Sequence, residues 1–200
     1  MGTQRAQVLG VLGVLGVLGS LSWLSLNTFL SPDWGPPGSG NYLGYETISR
    51  LWAPAFAGML CGFVGLNQRY PLRGTRLGRV GFRLAVTGLV VMMAGNIAEF
   101  WFFTALPYEE INARSLAWIS VLLGMLGLTL GVTLLGLAGL RQHSLPAWGS
   151  VVFLAALPLW VGLLFTFIES AWLALGVLGL IAGGLALAPQ PAATPPLATA

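Results

Sequence analysis

The sequence predicts an all-α integral membrane bundle of six transmembrane helices, with the N- and C-termini both cytoplasmic. Three observations carry that expectation. First, of 200 residues 56% are hydrophobic and only 8% charged, against about 25% charged in ordinary soluble domains. A water-facing surface cannot be built over a normal core with so few charges. Second, the uncharged runs have membrane-spanning length: Ala6–Pro32, Leu51–Gln68, Ser115–Leu140, Gln142–Ile168 and Ser170–Ala200, with Leu84–Tyr108 interrupted only by Glu99. Third, the charges segregate. All six carboxylates (Asp33, Glu46, Glu99, Glu109, Glu110 and Glu169) fall on one side of the expected spans, and most of the nine arginines on the other.

A hydrocarbon core of about 30 Å is crossed by roughly 20 apolar residues in a helix. The runs therefore place spans at 8–30, 50–68, 83–104, 115–140, 148–168 and 171–188. The last two come from one apolar stretch, Trp148–Ala188, which as a single helix would reach about 60 Å, twice the core thickness. Glu169-Ser170 lies at its midpoint, so a tight turn is expected there, with Ser170 capping the final span. Continuous rather than alternating runs argue against a β-barrel. Residues 1–188 read as one transmembrane domain. Residues 189–200, rich in proline and alanine, read as a disordered tail.

The first span follows Arg5 and opens with four copies of Val-Leu-Gly over Val8–Gly19. Each three-residue repeat turns about 300° on a helix of 3.6 residues per turn, so Gly10, Gly13, Gly16 and Gly19 spiral round it. The plain reading is low-complexity apolar filling, and the sharper one is close packing on several sides. A signal peptide is the rival, but no small-x-small cleavage site stands in place and the apolar run continues to Leu30. A retained first span is expected. Ser31–Ser49 is the longest connector. Its Pro32–Gly38 stretch should be irregular, and Trp34, Tyr42 and Tyr45 suggest that it lies along the interface or caps the bundle.

Orientation comes from arginine. Arg5, then Arg69, Arg73, Arg76, Arg79 and Arg83, then Arg141, occupy the N-terminus and the even-numbered gaps, with Arg50 and Arg114 opposite. The positive-inside rule then sets both termini in the cytoplasm of an inner (plasma) membrane. Arg73, Arg76, Arg79 and Arg83 recur at helical spacing and would stack on one face. Such a stripe can contact anionic lipid head groups, or serve simply as a topology signal. These arginines supply the +3 net charge, so a nucleic-acid role is not expected. Arginine is the only strongly basic side chain present, a hint of a GC-rich bacterial genome, and the absence of lysine excludes Schiff-base and P-loop lysine chemistry.

Glu99 is the outstanding polar residue. It lies in Gly95–Trp101, roughly 7 Å below the outer end of the third span. Asn96 precedes it by three residues, so the two side chains share a face. Ionisable groups inside a span are functional candidates by default. Removal from water favours the protonated carboxyl and makes Glu99 a candidate proton acceptor. Glu169, beside Trp172, shares its outer depth, and the two would converge on one cavity if the third and fifth spans adjoin. The plainer readings are a Glu99 satisfied by Asn96 and neighbouring backbone, and a Glu169 in an ordinary turn. Tryptophans favour the outer side (Trp23, Trp34, Trp52, Trp101, Trp118, Trp172, with Trp160 in the outer half of its span), and Trp148 marks the inner one. That pattern fits interface anchoring or an outer pocket.

No cofactor or metal is expected. His143 in a short cytoplasmic turn is the single histidine, and Cys61 is the single cysteine, read as a small buried residue. The motifs His-Glu-x-x-His, Gly-x-Ser-x-Gly and Cys-x-x-Cys do not occur, so an intramembrane enzyme ranks last. Glycine pairs at four-residue spacing (Gly58/Gly62, Gly127/Gly131, Gly179/Gly183) point to a compact bundle or to homodimer contacts. The third-span Asn96–Trp101 pattern, Asn-x-x-Glu-Phe-Trp, and the Leu140–Trp148 turn, Leu-Arg-x-x-x-Leu-Pro-x-Trp, resemble small uncharacterised bacterial polytopic membrane proteins. The resemblance covers the C-terminal two-thirds of the chain and implies no activity. Two functional readings lead: a non-catalytic subunit, scaffold or assembly partner within a homo-oligomer or larger membrane complex, and a small transporter or proton-coupled sensor using Asn96, Glu99 and Glu169.

Overall fold

The computed structural model describes residues 3–29, 40–70, 72–107, 111–166 and 168–188. Pro32–Gly38 and the 189–200 tail, for which sequence expectations were drawn, lie outside the described residues. The described chain is all α-helical: α1 Thr3–Thr28, α2 Gly40–Arg50, α3 Trp52–Arg69, α4 Arg76–Ile97, α5 Ala113–Gln142, α6 Ala147–Leu154, α7 Ala156–Thr166 and α8 Ile168–Leu187. A 3-10 turn, Leu72–Gly74, precedes α4, and a π-helical turn, Ala98–Phe102, extends it. Five helical stretches are long and apolar enough to cross a membrane: Gln4–Thr28, Glu46–Arg69, Arg76–Phe102, Ala113–Gln142 and Ala147–Phe165. The shorter apolar helix Ala171–Leu187 supplies a sixth.

Two apolar stretches are interrupted where proline requires it. A proline ring clashes with the carbonyl four residues before it and donates no hydrogen bond. Pro54 therefore breaks the helix near Arg50, dividing α2 from α3 at Leu51, and Pro158 acts on Leu154, dividing α6 from α7 at Ala155. The second break is compensated from outside, since the Leu157 amide donates to Thr133 Oγ1 of α5 at 3.0 Å. The fifth span expected over 148–168 is thus divided into α6 and α7, and part of the expected 31–49 loop is helix α2. The last helix starts at Ile168, so Ser170 lies within its first turn instead of capping it.

Helix ends follow local chemistry. The Thr75 hydroxyl accepts from the Gly78 amide at 3.1 Å and caps α4. Asn112 Oδ1 accepts from the Arg114 and Ser115 amides and caps α5. At the other end of α5, His143 takes the left-handed conformation (φ 50°) that closes a helix, its amide donating to Gly139 O. His143 is exposed in that turn, the expected loop position.

The tightest seam joins α4 and α5, which run antiparallel. Gly81, Gly88 and Gly95 recur every seven residues on α4, and each meets α5 backbone, at Gly131, Gly124 and Ala117 respectively. A seven-residue period keeps a seam continuous when helices supercoil, and glycine lets the backbones approach within van der Waals distance. The expected Gly127/Gly131 pair is half right: Gly131 is in the seam, whereas Gly127 faces a looser gap.

A second seam gathers α1, α3 and α8. Gly16 lies against Gly62 and Gly183, Gly19 against Gly58, and Gly13 against Gly183 and Leu187. The three-residue period now has a physical use. Successive glycines step by about −60° round α1, so the face that meets α3 passes into the face that meets α8. At Gly13, Gly16 and Gly19 the Val-Leu-Gly repeat is packing, not filling, whereas Gly10 faces open space, and Gly58/Gly62 and Gly179/Gly183 make contacts within the chain. Between the seams the core is apolar, with Met59, Phe63, Leu89, Met92, Met125 and Leu128 buried.

Candidate functional site

The two ends of the bundle differ in chemistry. At one end Arg69 donates to Ala188 O, and Gln142 Nε2 donates to Thr75 Oγ1 at 2.6 Å. The first contact ties α3 to the end of α8, and the second ties the end of α5 to the start of α4. Arg76, Arg79 and Arg83 lie exposed on one face of α4 because Gly78, Gly81, Phe82 and Ala85 take the opposite face into the core. This is the expected stripe for three of its four members. The Arg73 side chain lies outside the described residues.

At the other end four of the buried polar side chains, Ser49, Asn96, Glu99 and Arg114, collect. Asn96 and Glu99 are 0% and 1% exposed, on one face as their spacing requires. Asn96 Nδ2 donates to Ser49 O at 3.0 Å. That carbonyl belongs to the last turn of α2, where helical partners run out and Pro54 prevents continuation. Arg50 Nε donates to Phe100 O at 2.8 Å, within the π turn. Arg114, 2% exposed, donates through Nη1 to Thr104 O and Leu106 O and through Nη2 to Glu46 Oε1 at 2.8 Å. The two arginines on the carboxylate side are therefore ties: Arg50 holds α2 to the π turn, and Arg114 holds α2 to the connector leading into α5.

The π turn sets this geometry. The Phe103 amide reaches back five residues to Ala98 O at 3.0 Å, and the Ala98 amide is shared between Ala94 O and Gly95 O. One extra residue is thus inserted around Glu99. Its effect is to turn Phe100 inward, fully buried, while Trp101 and Phe102 face outward. Such bulges occur often at functional positions.

An aromatic layer adjoins the polar cluster. Trp52 packs edge-on to Phe100 at 6.1 Å, against Trp23 at 5.2 Å and against Trp172 at 5.4 Å. Trp172 also stacks on Trp118 at 5.5 Å, and Trp23 Nε1 donates to Trp172 O at 2.8 Å. Trp23, Trp52 and Trp160 are buried, so three of the outer tryptophans are core and not interface anchors. Trp101 and Trp148, at opposite ends, are both more than half exposed.

Glu99 and Glu169 were expected to converge on one cavity if the third and fifth spans adjoin, and the packing of the described helices does not pair those two spans. The third span packs on the second and fourth, and the fifth packs on the fourth and sixth. The route from Glu99 toward the Glu169 segment instead runs through Phe100, Trp52 and Trp172. Glu169 lies on the first turn of α8, and its side chain is outside the described residues. Sequence reasoning missed Glu46, Ser49, Arg50 and Arg114. Two signals pointed to them: the pair of arginines on the wrong side for topology, and Pro54 four residues after Arg50.

No group of three or more His, Cys, Asp or Glu side chains able to hold a metal gathers among the described residues. A groove of about 480 Å³ between α1 and α3 is lined by Leu18, Leu21, Ser22, Ser25, Leu26, Leu51, Pro54 and Ala55, an apolar surface in the same half of the bundle. No protein-family model, curated protein or solved structure matches this chain.

Proposed function

We propose that this chain is a non-catalytic membrane subunit or assembly scaffold of the bacterial inner membrane, spanning it six times with both termini in the cytoplasm. One observation carries the reading. The interior is closed by backbone-to-backbone glycine seams, and its buried polar groups do not line a path. Ser20 and Thr129 bond back to their own helices. Ser49, Asn96, Glu99 and Arg114 cluster at one end, Ser150 stands apart from them in the first turn of α6, and the middle is filled by methionine, leucine and phenylalanine. A conduit for polar solutes needs lining groups along its length. The bundle instead offers rigid, lipid-compatible faces on which a second copy or another membrane subunit can assemble. The orientation rests on Arg69, Arg76, Arg79, Arg83 and Arg141 lying toward one end. The seams of α1 with α3 and α8 are what a retained first span requires.

The burial of Glu99 beside Asn96 favours a second reading, a small transporter or proton-coupled sensor. Purification in mild detergent, paired with proton-flux assays in vesicles, separates the two. The scaffold reading expects a homo-oligomer or a stably co-purifying membrane subunit, with equal flux from wild type and Glu99→Gln. Solute-dependent flux that disappears in Glu99→Gln would refute it. Reporter fusions at Thr75 and Gly44 should report cytoplasm and exterior respectively, and the reverse result would overturn the orientation.

A further inference from the structure

We infer that the groove between α1 and α3 holds one glycerolipid of the surrounding bilayer, with an acyl chain on its floor and an ester carbonyl accepting from Ser22 and Ser25. Leu26 and Ala55 are buried and make the floor, while Leu18, Leu21, Leu51 and Pro54 stand exposed along the rims. The groove therefore opens sideways, toward lipid. On α1 it runs from Leu18 to Leu26, about 12 Å along the axis and within about 15 Å of the helix end at Thr28. That depth is one leaflet, half of a hydrocarbon core of about 30 Å.

The two hydroxyls carry the inference. Serine and threonine in an apolar helix commonly bond back to their own backbone, as Ser20 does to Gly16 O at 2.7 Å and Thr129 to Met125 O at 2.9 Å. Ser22 and Ser25 make no hydrogen bond with any described residue. Three residues apart, they share one face and line the same groove. Two donors are thus left without acceptors in a hydrocarbon setting, where an unmet polar group is costly. A glycerolipid supplies the complement, since its ester carbonyls accept without donating and its chains are apolar. No charged side chain lines the groove among the described residues, so an anionic amphiphile would bring a charge with no partner. Size argues against a helix as the occupant. A volume of about 480 Å³ over about 12 Å gives a cross-section of about 40 Å², against roughly 80–110 Å² for a helix with its side chains. A neighbouring helix would bridge the rims without filling the floor, whereas a flexible hydrocarbon chain reaches it.

The inference goes beyond the scaffold reading and does not rest on it, since it needs only that the helices lie in a bilayer. The test is native mass spectrometry of the full chain in mild detergent, delipidated and then given dioleoyl phosphatidylcholine or its dialkyl ether analogue. The two lipids share a head group, so contacts with Arg76, Arg79 and Arg83 cancel between them. Wild type should retain one ester lipid per chain and hold the ether analogue more weakly, by about threefold for each hydrogen bond lost. Replacing Ser22 and Ser25 together with alanine should lower the ester lipid to the level of the ether analogue. Ser25→Trp, at an exposed position, should exclude both lipids by occupying the groove. Equal retention of ester and ether lipid by wild type would overturn the inference, as would wild-type retention of the ester lipid in Ser25→Trp. A lipid-free wild-type dimer that dissociates in Ser25→Trp would overturn it in favour of a second copy. The comparison of the two lipids on wild type needs no variant, so it decides even where a variant fails to fold.

Discussion

Replacing Gly88 with alanine tests the glycine seam most directly. A Cβ at Gly88 would sit 2.5 Å from Gly124 O and 2.5 Å from Leu128 N, both backbone atoms that no rotamer change can move aside. At Gly127, in the same interface, the nearest atom to a new Cβ is Gly88 Cα at 3.5 Å, an ordinary contact. Both substitutions gain about 1 kcal/mol from helix propensity, so that term cancels in the comparison. What remains is the overpacking cost at Gly88, about 1–3 kcal/mol. For a chain of this size the difference corresponds to a midpoint lower by about 2–12 °C in Gly88→Ala than in Gly127→Ala. Thermal unfolding in mild detergent, followed by intrinsic fluorescence, reads it. If the two variants melt together, or Gly127→Ala melts first, the heptad seam is wrong and the four-residue pairing expected from sequence is the better description.

Three further outcomes follow from the ends of the bundle. Arg114→Ala strands Glu46 and two carbonyls in a buried setting and should cost about 3–5 kcal/mol, while Glu46→Gln, which keeps a hydrogen-bond acceptor, should cost less. Melting midpoints and protease cleavage in the Gly40–Arg50 segment check both, and equal loss in the two variants would contradict a charge-based tie. Trp23→Ala should cost about 3–5 kcal/mol and leave the Trp172 carbonyl without its donor, whereas an interface anchor would lose far less. Replacing Arg76, Arg79 and Arg83 together with glutamine should weaken retention of anionic over zwitterionic lipid by about 1 kcal/mol per residue, measured by lipid exchange in detergent. Unchanged lipid preference would reduce the stripe to a topology signal.

The helices were legible in the sequence because the bilayer demands uncharged length, and Trp148–Ala188 shows the rule at its most useful. One apolar run twice as long as the membrane had to be folded back, and it is. What could not be read were features set by the third dimension. Pro54 and Pro158 lie inside apolar runs, where hydropathy is blind to a ring clashing with the preceding turn, so α2 and the break at Ala155 went unseen. Glycine spacing was visible, but choosing the period of seven on α4 over the period of four on α5 needs both partners of the seam. For the site, Asn96 and Glu99 were readable from their three-residue spacing. Ser49, Arg50 and Arg114 were not, because their roles come from a broken helix end and a π turn that local composition does not announce.

The same contacts explain how a chain with arginines on both sides can still carry a clear orientation signal. A guanidinium impedes translocation through its charge, and the charges that count are those near span ends and free to meet the membrane surface. Arg76, Arg79, Arg83 and Arg141 are exposed at or near helix ends. Arg114 is 2% exposed, and its charge is spent on Glu46 and two carbonyls. Arg50 is partly buried and bonded to Phe100 O. The exceptions to the topology pattern are thus the arginines that the fold engages, Arg114 in an ion pair with Glu46 and Arg50 in a hydrogen bond to the π turn. Once those two are set aside, the imbalance between the ends is larger than a residue count suggests.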